Sequence, residues 1–100
     1  MKVVVKTDTF DKWLKKLKDI RAKAKVLFRI QKLEKDGHYG DSKPVGDGIT
    51  EIRIHYGKGY RLYVKEKETN IVILLVGGDK STQGKDIAKA KEIWKSIKNK

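Results

Sequence analysis

The sequence predicts an α+β domain, an antiparallel sheet with two helices before it and one after it, in the order β-α-α-β-β-β-α. Three observations predict it. Apolar and cationic side chains alternate through Glu51–Val64 on both sides of Gly57-Lys58-Gly59, the period of a strand on each arm of a hairpin. Apolar residues recur at helical spacing at Phe10, Trp13, Leu14, Leu17 and Ile20, and again at Ile87, Ala90, Trp94 and Ile97. Ile71–Val76 is an unbroken apolar run, the pattern of a central strand covered on both faces. A chain of 100 residues is enough for one core and not for two, so residues 1–100 form a single domain.

The elements follow in order. Three valines make Met1–Lys6 a strand, and Thr7-Asp8-Thr9 offers N-caps for the first amphipathic helix. A second helix runs from about Asp19 to Lys35, with Ala22, Ala24, Val26, Leu27, Ile30 and Leu33 inward and Arg21, Lys25, Arg29 and Lys32 on an outer stripe. Asp36-Gly37 ends it. Three glycines, two aspartates and the only proline make His38–Gly48 a loop. Strands Ile49–His55 and Gly59–Lys65 form the hairpin, Lys67–Asn70 turns the chain into Ile71–Val76, and Gly77–Ser81 is a tight polar loop. The last helix starts at Thr82 or Gln83.

Parity fixes the faces of the hairpin. Ile52, Ile54, Tyr60, Leu62 and Val64 share the core side, while Arg53, His55, Arg61 and Tyr63 share the other. Opposed residues lie on one face, so Arg61 must stand across from Arg53 or His55, which requires an odd loop; Gly57-Lys58-Gly59 supplies one of three residues. A face with two arginines suits a phosphate backbone, although antiparallel sheets also commonly leave a polar face to solvent. The loop Gly77-Gly78-Asp79-Lys80-Ser81-Thr82 joins a buried strand to a helix, where backbone N–H groups and Lys80 favour anions, or where Asp79 or Ser81 simply caps the turn. Its glycine spacing is not that of a P-loop.

Composition narrows the partners. A formal net charge of +12, from 25 Lys and Arg against 13 Asp and Glu, favours a polyanion. The longest apolar run is far short of the about 20 residues of a spanning helix, and the N-terminal apolar stretch is too short for a cleaved signal, so a cytoplasmic protein without membrane attachment is expected. The absence of cysteine removes disulfides, thiol catalysis and cysteine-ligated zinc. Two histidines without clustered carboxylates point to no metal and no cofactor. Paired carboxylates and a nucleophile elbow are also absent, which leaves His55 as the natural acid–base group of the basic face.

Several segments together resemble a known family. Phe10-Asp11-Lys12-Trp13-Leu14, Arg29-Ile30-Gln31-Lys32-Leu33, Gly40–Ile54, Gly59-Tyr60-Arg61-Leu62-Tyr63 and Leu75–Gln83 are similar, in register, to the RelE/HigB-like addiction-module killer proteins of type II toxin–antitoxin systems. The resemblance runs from about Phe10 to Ala90 and implies a RelE/ParE-like fold and a metal-independent endoribonuclease that cuts mRNA on the ribosome. It carries the arginine of Gly-Tyr-Arg-Leu to Arg61, a basic strand position to Arg53 and a basic loop position to Lys80. Some relatives place a tyrosine near the C-terminus where this chain has Lys85 or Ile87, so no tyrosine acid or base carries over. With His55, the expected catalytic set is Arg61, Arg53, His55 and Lys80, and Lys43, Lys58, Tyr63 and Lys85 are expected to touch RNA. The implied partners are mRNA, the ribosome and a cognate antitoxin of helix-turn-helix type. The competing reading from the same fold is a ParE-like, non-enzymatic inhibitor of DNA gyrase, and a basic nucleic-acid-binding module without toxicity is a third.

Overall fold

The computed structural model describes residues 1–99. Its elements are β1 (Val3–Lys6), α1 (Asp8–Lys16), α2 (Ile20–Asp36), β2 (Ser42–Pro44), β3 (Ile49–Ile54), β4 (Tyr60–Lys67), β5 (Ile71–Gly78), a short 3-10 turn (Lys80–Thr82) and α3 (Gln83–Lys98). Five strands form one sheet in the order β1-β5-β4-β3-β2. The predicted elements follow in the expected order with one short strand, β2, added, and the sheet is mixed: β1 lies parallel to β5, while every other pair is antiparallel.

The apolar run of β5 is explained by its place. It sits between β1 and β4 with helices over both faces, so Val72 and Leu74 join the core under α1 and α2 while Ile73, Leu75 and Val76 join a second core under α3. Two consecutive residues face α3 because a bulge falls opposite Tyr63 and Val64, where the register passes from Val64↔Leu74 to Tyr63↔Val76. The phase break aims Gly77 at α1 and Gly78 at α3, as the close approach of Trp13 to the first and Asp86 to the second records.

Several sequence expectations are corrected. The first helix ends at Lys16, because Leu17 is already extended, and Ile20 opens α2 with 83% of its surface exposed. On α2 only Ala22, Val26 and Leu33 are buried, and Ala24, Leu27 and Phe28 face out. Arg29, placed on the outer stripe, turns inward to donate from Nη1 to the Arg53 carbonyl at 2.9 Å and from Nη2 to the Tyr39 carbonyl at 2.8 Å. The loop His38–Gly48 contains β2, an edge strand where Pro44 leaves no internal ladder bond unmade. The hairpin pairs Arg53 with Arg61 and Ile54 with Tyr60, so its loop is His55–Gly59, five residues rather than three. The odd parity stands and the faces are as expected, but His55 belongs to the loop. Gly57 and Gly59 both take positive φ there, which lets so tight a loop close.

The largest correction concerns the face opposite α1 and α2. It is not left to solvent, because α3 lies across it and buries Ile49, Tyr63, Leu75 and Ala90 together. Buried charged groups gather where α3 gives way to the 3-10 turn and the hairpin loop, while at the other end Lys65 lies over the Trp94 ring.

Candidate functional site

The charged end of this face starts from Glu51 on β3, which is wholly buried. It accepts hydrogen bonds from Gln83 Nε2 at 2.7 Å, Arg53 Nε at 3.1 Å and the Tyr63 hydroxyl at 3.2 Å. Burial pushes its carboxyl up, yet the bonds from Gln83, Arg53 and Tyr63 and the nearby charge of Arg61 outweigh burial and hold it below the usual range. Glu51 is therefore a fixed anion with three of its roughly four acceptor sites occupied. It orients Arg53 and ties α3 to the sheet through Gln83.

Arg61 differs from Arg53. Its side chain is only 8% exposed, and its Nε and Nη1 are buried with no hydrogen-bond partner among the described residues. Across the ladder it meets Gly78, where an added Cβ would stand 1.9 Å from Asp86 Oδ2. The missing side chain lets α3 close down on β5, with Thr82 donating its hydroxyl to the Asp86 carboxylate. A guanidinium with unspent N–H groups in a desolvated position is costly unless an anion completes it.

A depression of about 540 Å³ lies against the end of α1 and Asp79, away from Arg61; the cationic hollow that Arg61 lines, about 350 Å³, is also bounded by His55, Lys58 and Lys80. Two loops build it. The Lys80 amide donates to the Lys58 carbonyl at 3.3 Å, tying the 3-10 turn to the hairpin loop. Asp79 caps that turn through the Ser81 amide at 2.8 Å, and its carboxyl is lowered, chiefly by the Ser81 hydroxyl. His55 Nε2 pairs with Asp41, whose carboxyl is held down mainly by that hydrogen bond. An acceptor on one ring nitrogen fixes the imidazole's orientation and leaves the other for a ligand.

The expected site residues divide accordingly. His55, Lys58, Arg61 and Lys80 gather round one hollow, and Arg53 stands next to Arg61 on the neighbouring strand. Lys43 is exposed on β2 opposite Glu51, one strand beyond Arg53, and Lys85 is exposed in the first turn of α3; neither lines the hollow. Tyr63 is fully buried under α3 and offers RNA no surface, which corrects its placement as a contact residue. Asp41 and Gln83 were not anticipated, and nothing in their local sequence marks them. Among the described residues no group of three His, Cys, Asp or Glu side chains is arranged to hold a metal ion, and no helix is long and apolar enough to cross a membrane.

Fold and site together define a small, strongly basic α+β domain with a desolvated arginine at the open end of its sheet. Residues 12–95 match the model of the phage derived protein Gp49-like family (DUF891), and the chain belongs to that family. It is also 56% identical over 92 residues to an uncharacterized protein of Haemophilus influenzae, an alignment that covers 91% of this chain and 92% of that one.

Proposed function

We propose that this protein is the toxin of a type II toxin–antitoxin module and acts as a metal-independent mRNA endoribonuclease on the ribosome. The Gp49-like family is of the addiction-module type, which supports the first part. The observation that carries the second is Arg61, a buried guanidinium with unpartnered nitrogens at the edge of a hollow that also holds His55, Lys58 and Lys80. In the proposed reaction the ribose 2′-oxygen attacks the adjacent phosphorus in line and the 5′-oxygen leaves, giving a 2′,3′-cyclic phosphate and a 5′-hydroxyl. His55, oriented by Asp41, is the acid–base group: it accepts the 2′-hydroxyl proton or delivers one to the departing oxygen. Arg61 stabilises the charge that grows on the phosphoryl oxygens, while Arg53, Lys58 and Lys80 hold the backbone. Glu51 is a weaker base, since its oxygens already accept three hydrogen bonds.

A helix-turn-helix antitoxin is the proposed partner, and it silences the toxin by covering the His55, Arg61 and Lys80 surface. Lys58 and Lys80 should then react with an amine reagent in the free toxin and be protected in the complex; full reactivity in a silent complex would replace masking by steric exclusion from the ribosome. Mapping mRNA 5′ ends after controlled expression tests the activity. Cuts that depend on the ribosome are expected, and gyrase-linked DNA breaks without them would select the ParE-like reading instead.

A further inference from the structure

A second hollow of about 350 Å³ lies where α2 crosses the end of β3, walled by Ala24, Lys25, Phe28, Arg29, Ile54 and His55. It adjoins the cationic hollow, because His55 lines both and Lys25 Nζ sits 5.2 Å from the centroid of the Tyr56 ring, itself a wall of the first. Its composition is unlike a solvated helix face. Phe28 presents an aromatic ring at 58% exposure, Ala24 and Ile54 are apolar, and the Arg29 guanidinium is fixed by two backbone carbonyls. A ligand here meets an apolar wall with an open ring and a cationic rim.

We propose that this hollow receives one unstacked nucleobase of a single-stranded RNA whose backbone crosses the cationic hollow, with the base stacked on Phe28. The inference rests on the RNA reading above. A nucleobase has an apolar face for Phe28 and is tethered to a phosphate that Lys25 and the neighbouring cations attract. The shared His55 wall puts the base next to the reacting phosphate, so the hollow is a place where sequence preference can arise. The hollow's small volume and its continuity with the phosphate-binding side favour a base over a helix of a partner protein.

The test uses the whole protein and two probes, a 2′-O-methyl RNA decamer, which lacks the attacking hydroxyl, and a decamer of the same backbone without bases. Phe28→Ala should weaken the base-bearing decamer roughly five- to one-hundred-fold, the range of a single base–aromatic stack, and leave the abasic decamer unchanged. Phe28→Tyr should restore binding, and Phe28→Leu, which keeps apolar bulk without a ring, should not. Because Phe28 is largely exposed, melting temperatures should match the wild type. If Phe28→Ala binds both decamers as the wild type does while Arg61→Ala weakens both, the base subsite is wrong and the RNA reading survives. If the wild type binds neither decamer, both fall. If Phe28→Ala keeps RNA binding and loses the antitoxin, the ring is a protein contact and the subsite is refuted.

Discussion

The two faces of the sheet are built from neighbouring residues of the same strands and serve opposite ends. Under α1 and α2 the buried cluster is hydrophobic, with Phe10, Val26, Leu33, Leu62 and Leu74 closed to solvent. Under α3 an apolar patch of Ile49, Tyr63, Leu75 and Ala90 gives way to Glu51, Arg53, Arg61 and Asp86. The first face stabilises the fold. The second gives up part of that stabilisation to hold charged groups in desolvated positions, where they act more strongly on a ligand.

Arg61 and Leu62 are consecutive on β4 and put this contrast most sharply. Arg61→Ala should lower mRNA cleavage by roughly 10²–10³, the usual effect of removing a transition-state donor. It should change unfolding free energy by about 1 kcal/mol or less, since two of its nitrogens make no hydrogen bond and its attraction to Glu51 offsets only part of their burial. Leu62→Ala should do the reverse, destabilising by about 2–5 kcal/mol and lowering the melting point by roughly 4–8 °C for each of these. Equal stability losses for the two would erase the distinction between the faces.

Glu51→Gln probes the charged network without removing its shape, and should destabilise by about 1.5–3 kcal/mol at neutral pH because its bonds to Arg53, Gln83 and Tyr63 are charge-assisted. The effect should depend on pH. The folded Glu51 titrates below its ordinary value of 4.5, so its contribution is complete above that pH and disappears as the pH falls through the folded value. Urea melts of the two proteins should therefore converge below about pH 4.5, and a difference that persisted or grew in acid would contradict the assignment.

The smallest effect concerns the lysines. If about four phosphates are held on single-stranded RNA, log K should fall against log salt with a slope near −3, and Lys58→Ala or Lys80→Ala should each make it shallower by about 0.7. A flat dependence would remove the hollow as a backbone cradle.

The sequence made the element order, the hairpin faces and four residues of the hollow legible, because period and parity act locally. Strand alternation says which side chains share a face, but not whether that face meets water. Tyr63 was misplaced for this reason: its cover, α3, arrives from 20 residues or more downstream, from Gln83 onward. The bulge opposite Tyr63 was hidden because β5 is apolar at every position, so a slip of phase changes nothing in its pattern. Ala24 and Leu27 looked like core because helical spacing reports which residues align and not what lies against them. Asp41, in a loop, reaches His55 only through the folded chain.

The parallel pairing of β1 with β5 has a consequence for how the protein is born. Val3–Lys6 leaves the ribosome well before its partner Ile71–Leu74, since each paired residue of β5 follows its β1 neighbour by 68 positions. At about 5–20 residues per second, the early strand waits several seconds for its neighbour. The hollow waits longer still, since Lys80 follows β5 in the chain and the turn that carries it is pinned to Lys58 only once β5 is in place. On the function proposed here, a growing chain carries no complete site until the turn of Lys80 has followed β5 out and closed on Lys58.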